Sequence, residues 1–165
     1  MPAGPLRRVE VDLSQPALRW RGSAYLDSNR GDRPLEHDFK SWHWSRAALP
    51  SQRTAVLYDA ARCDGSALTL ALAFGANGSV QDMALPPTVE LPHTGWRLPR
   101  ATRSEAEGAT RVAQSLEDGP FYARSVLRTQ LLGESATAVH ESLSLERWAQ
   151  PVVQCMLPFR MPRRG

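Results

Sequence analysis

One lysine, two cysteines and no long apolar run define this chain by what it does without. Lys40 is the sole lysine, and the arginines gather toward the ends, as Arg7-Arg8 and as Arg160 with Arg163-Arg164. With a net charge of +3 and no dense basic stripe, a nucleic-acid face is excluded. The terminal arginines read first as a solvated fringe, and second as a weak contact with anionic lipid headgroups or a partner domain. Cys63 and Cys155 lack metal-ligand spacing, and a single pair is no disulfide framework. The longest apolar stretch, Ala67 to Ala76, falls far short of the roughly 20 residues a membrane-spanning helix needs. An opening Pro-Ala-Gly-Pro followed closely by two arginines does not read as a secretory leader. A reduced, cytoplasmic setting is the expectation.

Helical patterning is also scarce. Thirteen prolines and eleven glycines suit short strands joined by turns. Charged residues at 22% of a 165-residue chain fit one ordinary globular domain, which buries roughly two-thirds of its unfolded surface. Period-two alternation recurs: Val9, Val11 and Leu13; Leu68, Leu70, Leu72 and Phe74; Val139, Glu141, Leu143 and Leu145. Asn77-Gly78 between two apolar stretches is a strong hairpin signal, and Cys63-Asp64-Gly65 reads as another turn. Pro86-Pro87 and Leu91-Pro92 bound an extended, irregular middle. Leu145 to Ala149 reads as a short helical turn before Pro151. Ser104 to Gln114 has a helical pattern weakened by Gly108 and Thr110. The fold class is therefore all-β: an antiparallel barrel or strongly curled sheet of about nine or ten strands, with little helix. Residues 1–8 are expected to be a flexible lead and 9–165 a single β domain.

The residues that bear chemistry concentrate between Gly22 and Ala47. Tyr25 and Asp27 stand two apart, as do Trp42 and Trp44, so on strands each pair shares a face. From residue physics alone, the plain readings come first. Asp-Ser-Asn-Arg-Gly-Asp is good turn chemistry, and paired strand aromatics are more often core than ligand wall. The same loop loosely matches a calcium site, but its glycine is displaced by one place, no helix flanks it, and the twelfth-position ligand would be the short acid Asp38. His37, His43, His93 and His140 are scattered, with neither a helical pair nor a His-x-His, which argues against a metal centre. Ser125, Ser142 and His140 lack the Gly-x-Ser-x-Gly elbow of a hydrolase. Leu116 to Ser125, LEDGPFYARS, reads by default as a hairpin corner.

Four segments change that weighting. RWRGSAYLDSNRGDRPLEHDFKSWHWSRA at 19–47, LPHTGWRLPR at 91–100, LEDGPFYARS at 116–125 and HESLSLERWAQPVVQCMLPFRMPRR at 140–164 together resemble the carotenoid 1,2-hydratases, or hydroxyneurosporene synthases, of phototrophic bacteria. The resemblance runs from about Val9 to Arg164. It implies a lipocalin-like β domain forming the C-terminal part of a longer architecture, whose further domain and His-x-Trp pair lie upstream. It also implies hydration of the terminal C1–C2 double bond of acyclic carotenes such as neurosporene or lycopene, with water and no cofactor. Asp27 matches the family's proposed acid and Tyr25 a second implicated position. Trp42 and Trp44, placed by their alternation, and Tyr122 complete the expected substrate-binding set. A substrate dissolved in bilayers implies peripheral contact with the inner or photosynthetic membrane. The alternative function is a non-catalytic lipocalin-like module that holds a long isoprenoid or other apolar ligand.

Overall fold

A computed structural model of the chain describes residues 7–24 and 31–159. Among them are eleven strands: β1 (Arg7–Ser14), β2 (Ala17–Ala24), β3 (Phe39–Ala48), β4 (Thr54–Arg62), β5 (Ala67–Phe74), β6 (Val80–Asp82), β7 (Thr88–Leu91), β8 (Arg100–Arg103), β9 (Arg111–Asp118), β10 (Tyr122–Leu131) and β11 (Glu134–Ser144). Two short helices follow, α1 (Leu145–Trp148) and α2 (Pro151–Met156). The strands form a seven-stranded antiparallel sheet in the order β6-β5-β4-β3-β11-β10-β9 and two separate hairpins, β1-β2 and β7-β8. The large sheet is open, with β6 and β9 as its edges, rather than a closed barrel.

Most sequence expectations for individual elements hold. The Asn77-Gly78 turn closes β5 onto β6: Gly78 takes φ +84°, and the Asn77 side chain accepts from the Ser79 amide at 3.0 Å. Only a residue without Cβ adopts that φ without strain. The Cys63-Asp64-Gly65 turn joins β4 to β5, and LEDGPFYARS makes the β9–β10 corner. The irregular middle contains β7, and Ser104 to Gln114 resolves into a 3₁₀ turn at Glu107–Ala109 leading into β9. The helical turn at Leu145 is present, its start capped by Ser144 Oγ accepting from the Arg147 amide at 3.3 Å. α2 was not expected from the sequence; Pro151 at its first turn supplies a pre-set φ where no amide donor is needed.

The two faces of the large sheet differ in side-chain size. Strict alternation along β10 and β11 buries Ala123, Ser125, Leu127, Thr129 and Leu131 on one, and Ala136, Ala138, His140 and Ser142 on the other. Ala47, Ala55 and Leu57 extend the same face across β3 and β4. These small side chains let the β7–β8 hairpin approach closely, and Leu91 joins the resulting core. Polar ties fix the hairpin. Arg103 forks onto Asp59 with contacts of 2.8–3.0 Å, and Arg100 Nη1 donates to Ser125 Oγ at 2.9 Å. The opposite face carries the large apolar side chains of the alternating runs, yet it is half open: Leu70 there is 44% exposed.

This asymmetry sets a stability prediction. Leu127→Ala, in the closed core, is expected to lower unfolding free energy by about 2–5 kcal/mol. Leu70→Ala, on the open face, is expected to change it by no more than about 1 kcal/mol. Urea denaturation of both variants tests the assignment, and equal losses would mean that the two faces are buried alike.

Candidate functional site

β3 is the strand from which the site is built, because β4 and β11 flank it on either side. Its sequence FKSWHWSRAA alternates, so Trp42, Trp44 and Arg46 face one way and His43, Ser45 and Ala47 the other. The cross-strand register extends the tryptophan face into rows. Trp42 lies opposite Ala60 on β4 and Leu143 on β11, and Leu143 lies opposite Tyr122 on β10. Trp44 lies opposite Tyr58 and Glu141, and Glu141 opposite Arg124. The expected set of Trp42, Trp44 and Tyr122 thus shares one face. Trp42 and Tyr122 stand two strands apart, about 10 Å at ordinary strand spacing.

The rings on this face touch one another. Trp42 stacks on Tyr58 with centroids 6.2 Å apart at 29°, and Phe39 meets Trp42 edge-on at 6.3 Å and 87°. Such arrangements hold aromatic planes in fixed orientation. By the same register Arg46 on β3, Glu141 on β11 and Arg124 on β10 belong to this face, and Glu141 partners Tyr122. Burial, the nearby Glu141 charge and the hydrogen bond to Glu141 all raise the Tyr122 pKa, so the phenol keeps its proton and donates it to the carboxylate. The arrangement is an apolar, aromatic floor with one acid–phenol pair at its edge. It suits a long unsaturated hydrocarbon better than a charged metabolite.

Tyr25 and Asp27 lie outside the described residues. β2 ends at Ala24, immediately before them, and description resumes at Gly31. Asp38, the twelfth-position acid of the calcium reading, is held by the Arg33 guanidinium.

Two features escaped sequence reasoning. Glu141 sits in phase with Val139 and Leu143, and a charged residue in the apolar phase of a strand was the available signal for it. The other is a histidine pair. His43 and His140, far apart in sequence, stack on the closed face with centroids 6.2 Å apart at 14°. His43 Nδ1 is 2.8 Å from Ser142 Oγ, and His140 Nε2 donates to the Ala101 carbonyl at 2.9 Å. Adjacent-strand register brings them together, which no local spacing could reveal. The Ser142–His43 contact is not a hydrolase site: Ser142 is 1% exposed, and the crevice lined by His43, Asp59, Arg103 and His140 has no room for a ligand. Asp59 is engaged by Arg103 and Thr69. Burial lowers the pKa of both histidines, that of His140 to about 4, so both are neutral structural groups at pH 7.

Comparison with known proteins comes to the same place. A family model described as "Carotenoid hydratase CrtC" matches residues 1–165. The acyclic carotenoid 1,2-hydratase of Thiocapsa roseopersicina is 58% identical over 99% of this chain, and that of Rubrivivax gelatinosus 46% identical over 99%. The Rhodobacter capsulatus protein of the same name is 42% identical over 99%. The chain spans 40% of the length of the first two relatives and 58% of the third. No solved structure matches. Among the described residues no helix is long and apolar enough to cross a membrane.

The buried histidines make stability depend on pH in a defined direction. His140 titrates near 4 when folded and near 6.5 when unfolded, so between those values the unfolded chain binds a proton that the folded chain refuses. The His140 contribution to stability is then complete above about pH 6.5 and falls as pH drops toward 4, by up to about 1.4 kcal/mol per pH unit; His43, also lowered by burial, acts in the same direction. His140→Gln keeps a donor for the Ala101 carbonyl and is expected to flatten this slope. Urea midpoints at pH 7.5, 6, 5 and 4.5 check it; an unchanged slope would remove His140 as the cause.

Proposed function

The chain belongs to the carotenoid hydratase CrtC family, and on that premise we propose that it carries the acid and the aromatic wall of a hydratase acting on the terminal C1–C2 double bond of acyclic carotenes such as neurosporene or lycopene. The observation that carries the reading is the family match over the whole chain, together with relatives named acyclic carotenoid 1,2-hydratase.

The reaction sets clear physical demands. An isolated trisubstituted alkene is a very weak base, so an acid must stand beside it in a dry place. Asp27, protonated because an apolar surrounding penalises its charge, gives its proton to C2. General acid catalysis of this kind contributes about 10²–10⁴-fold. The C1 centre becomes a tertiary cation, and water adds to it there. The oxygen that has added then loses a proton to a carboxylate, and Glu141 beside Tyr122 is the acid–phenol pair that the described aromatic face presents for that step. Tyr25 orients Asp27. Trp42 and Trp44 grip the polyene, and an indole face beside the developing cation stabilises it by about 0.5–2 kcal/mol. No oxidation state changes, so the proposal requires no cofactor.

The substrate is insoluble in water, so the enzyme meets it at a membrane surface. Val152 and Phe159 stand exposed toward the C-terminal end, next in sequence to Arg160, Arg163 and Arg164. Apolar side chains beside arginines suit peripheral contact with an anionic bilayer.

The test places this chain in the Thiocapsa roseopersicina relative, in exchange for the segment it matches, and supplies lycopene or neurosporene in liposomes. Asp27→Asn is expected to reduce formation of the 1-hydroxy product at least about 10²-fold while the polyene absorbance shift on binding persists. Trp44→Leu is expected to lower turnover by about 2- to 30-fold. Undiminished turnover by Asp27→Asn would take the acid role from that residue. An absorbance shift without product from the unsubstituted chimera would favour the binding-module reading.

A further inference from the structure

The β1–β2 hairpin is two-faced in an unusual way. Register places Val11 opposite Trp20 and Leu13 opposite Leu18, so one face is apolar at the turn end of the hairpin. The other face is a ladder of ion pairs: Arg21 on Glu10 at 2.9 Å, Arg19 on Glu10 at 3.6 Å and on Asp12 at 3.5 Å. Glu10 and Asp12 answer Arg19 and Arg21 there, in the strand phase that also holds Arg8. The apolar face is uncovered. Leu13 is 46% exposed, Leu18 47% and Trp20 46%. Among the described residues the hairpin's substantial packing is between its own two strands. A two-stranded hairpin is marginal by itself in water and gains stability only when an apolar face is covered. Exposed apolar residues grouped on one face mark an interaction surface.

We propose that this face is the seat of the portion of the hydratase architecture that lies beyond this chain's match, so that the hairpin joins two parts of a longer protein. Three observations select that occupant. The chain covers 40% of the length of its Thiocapsa roseopersicina and Rubrivivax gelatinosus relatives, so those proteins hold a large further body of chain. Arg19 and Arg21 are paired with Glu10 and Asp12, so the uncovered surface at the turn end of the hairpin is apolar, as between parts that stay together. Finally, β2 runs directly into Tyr25 and Asp27, so a covering body would also fix the base of the segment that carries the acid. The inference rests on family membership and on the hairpin's geometry, and its third support rests also on the hydration reading.

Thiol accessibility tests it without any activity measurement. Cys63 and Cys155 are exposed free thiols and are first replaced by serine. Single cysteines are then introduced as Leu13→Cys, Leu18→Cys and, on the charged face, Arg19→Cys. Each is labelled with a maleimide in this 165-residue chain and in the Thiocapsa roseopersicina chimera. Positions 13 and 18 are expected to react at least tenfold more slowly in the chimera, and position 19 at a similar rate in both. Equal rates at 13 and 18 in the two contexts would overturn the proposal. Protection in the short chain that grows with its concentration would assign the face to a second copy instead. Protection that appears only with phosphatidylglycerol vesicles would assign it to lipid. Cysteines at the aligned positions of the intact relative give the same reading should the chimera fail to fold.

Discussion

The clamping of the β7–β8 hairpin onto the small-residue face of the large sheet is the constraint from which the rest follows. Alanine and serine at alternate positions of β3, β4, β10 and β11 leave room for a second layer, and the hairpin fills it. Its polar backbone and arginines then need partners inside a closed space. Asp59, Ser125 and His140 supply them, to Arg103, Arg100 and the Ala101 carbonyl. Breaking one of these ties would strand a buried donor or acceptor, which is why neutral histidines persist there despite their unfavourable burial. With one face closed in this way around Leu57, Leu127 and Leu131, the large side chains of Trp42, Trp44, Leu68, Leu70 and Leu72 are turned to the other.

That division separates structural from reactive chemistry. The polar groups that look most catalytic as a set, two stacked histidines with a serine and an aspartate, are sealed from solvent, and His140 Nδ1 is buried there without a hydrogen-bond partner. The face that looks like ordinary hydrophobic core is the one left half open. For a hydrocarbon substrate this is the sensible allocation. Indole and phenol rings give apolar contact without demanding hydrogen bonds, and they can still respond to a passing positive charge. In the proposed reaction the Tyr122–Glu141 pair at the rim would supply the proton acceptor.

Much of the fold was legible in the sequence, because alternation and turn chemistry are local. The Asn77-Gly78 and Cys63-Asp64-Gly65 turns, the strand at Leu68 to Phe74 and the helical start at Leu145 all follow from short-range rules. What alternation does not reveal is which phase is the inside. Large residues usually claim it, yet here Ala71 and Ala47 face the packed layer and Leu70 and Trp44 face away. That choice is made by the β7–β8 hairpin, a non-local event. The pairing of His43 with His140 depends on the same register and was equally invisible. The shared face of Trp42 and Trp44 was readable because period two guarantees it. Their alignment with Tyr122 needed β11 to sit between, and the roles of Tyr25 and Asp27 came from family resemblance rather than from residue physics.

The two uncovered apolar faces are best considered together. The sheet's aromatic face and the hairpin's Trp20 face belong to chain segments joined by the stretch that contains Asp27. A carboxyl group stays neutral only while its surroundings are dry, and dryness at that stretch requires apolar cover on both of its flanks. In the proposed reaction, a polyene held on the aromatic sheet would provide one. If the second comes from the remaining body of the full-length protein, the acidity proposed for Asp27 depends on assembly: its carboxyl would be kept neutral only where the parts close around an alkene that can receive the proton.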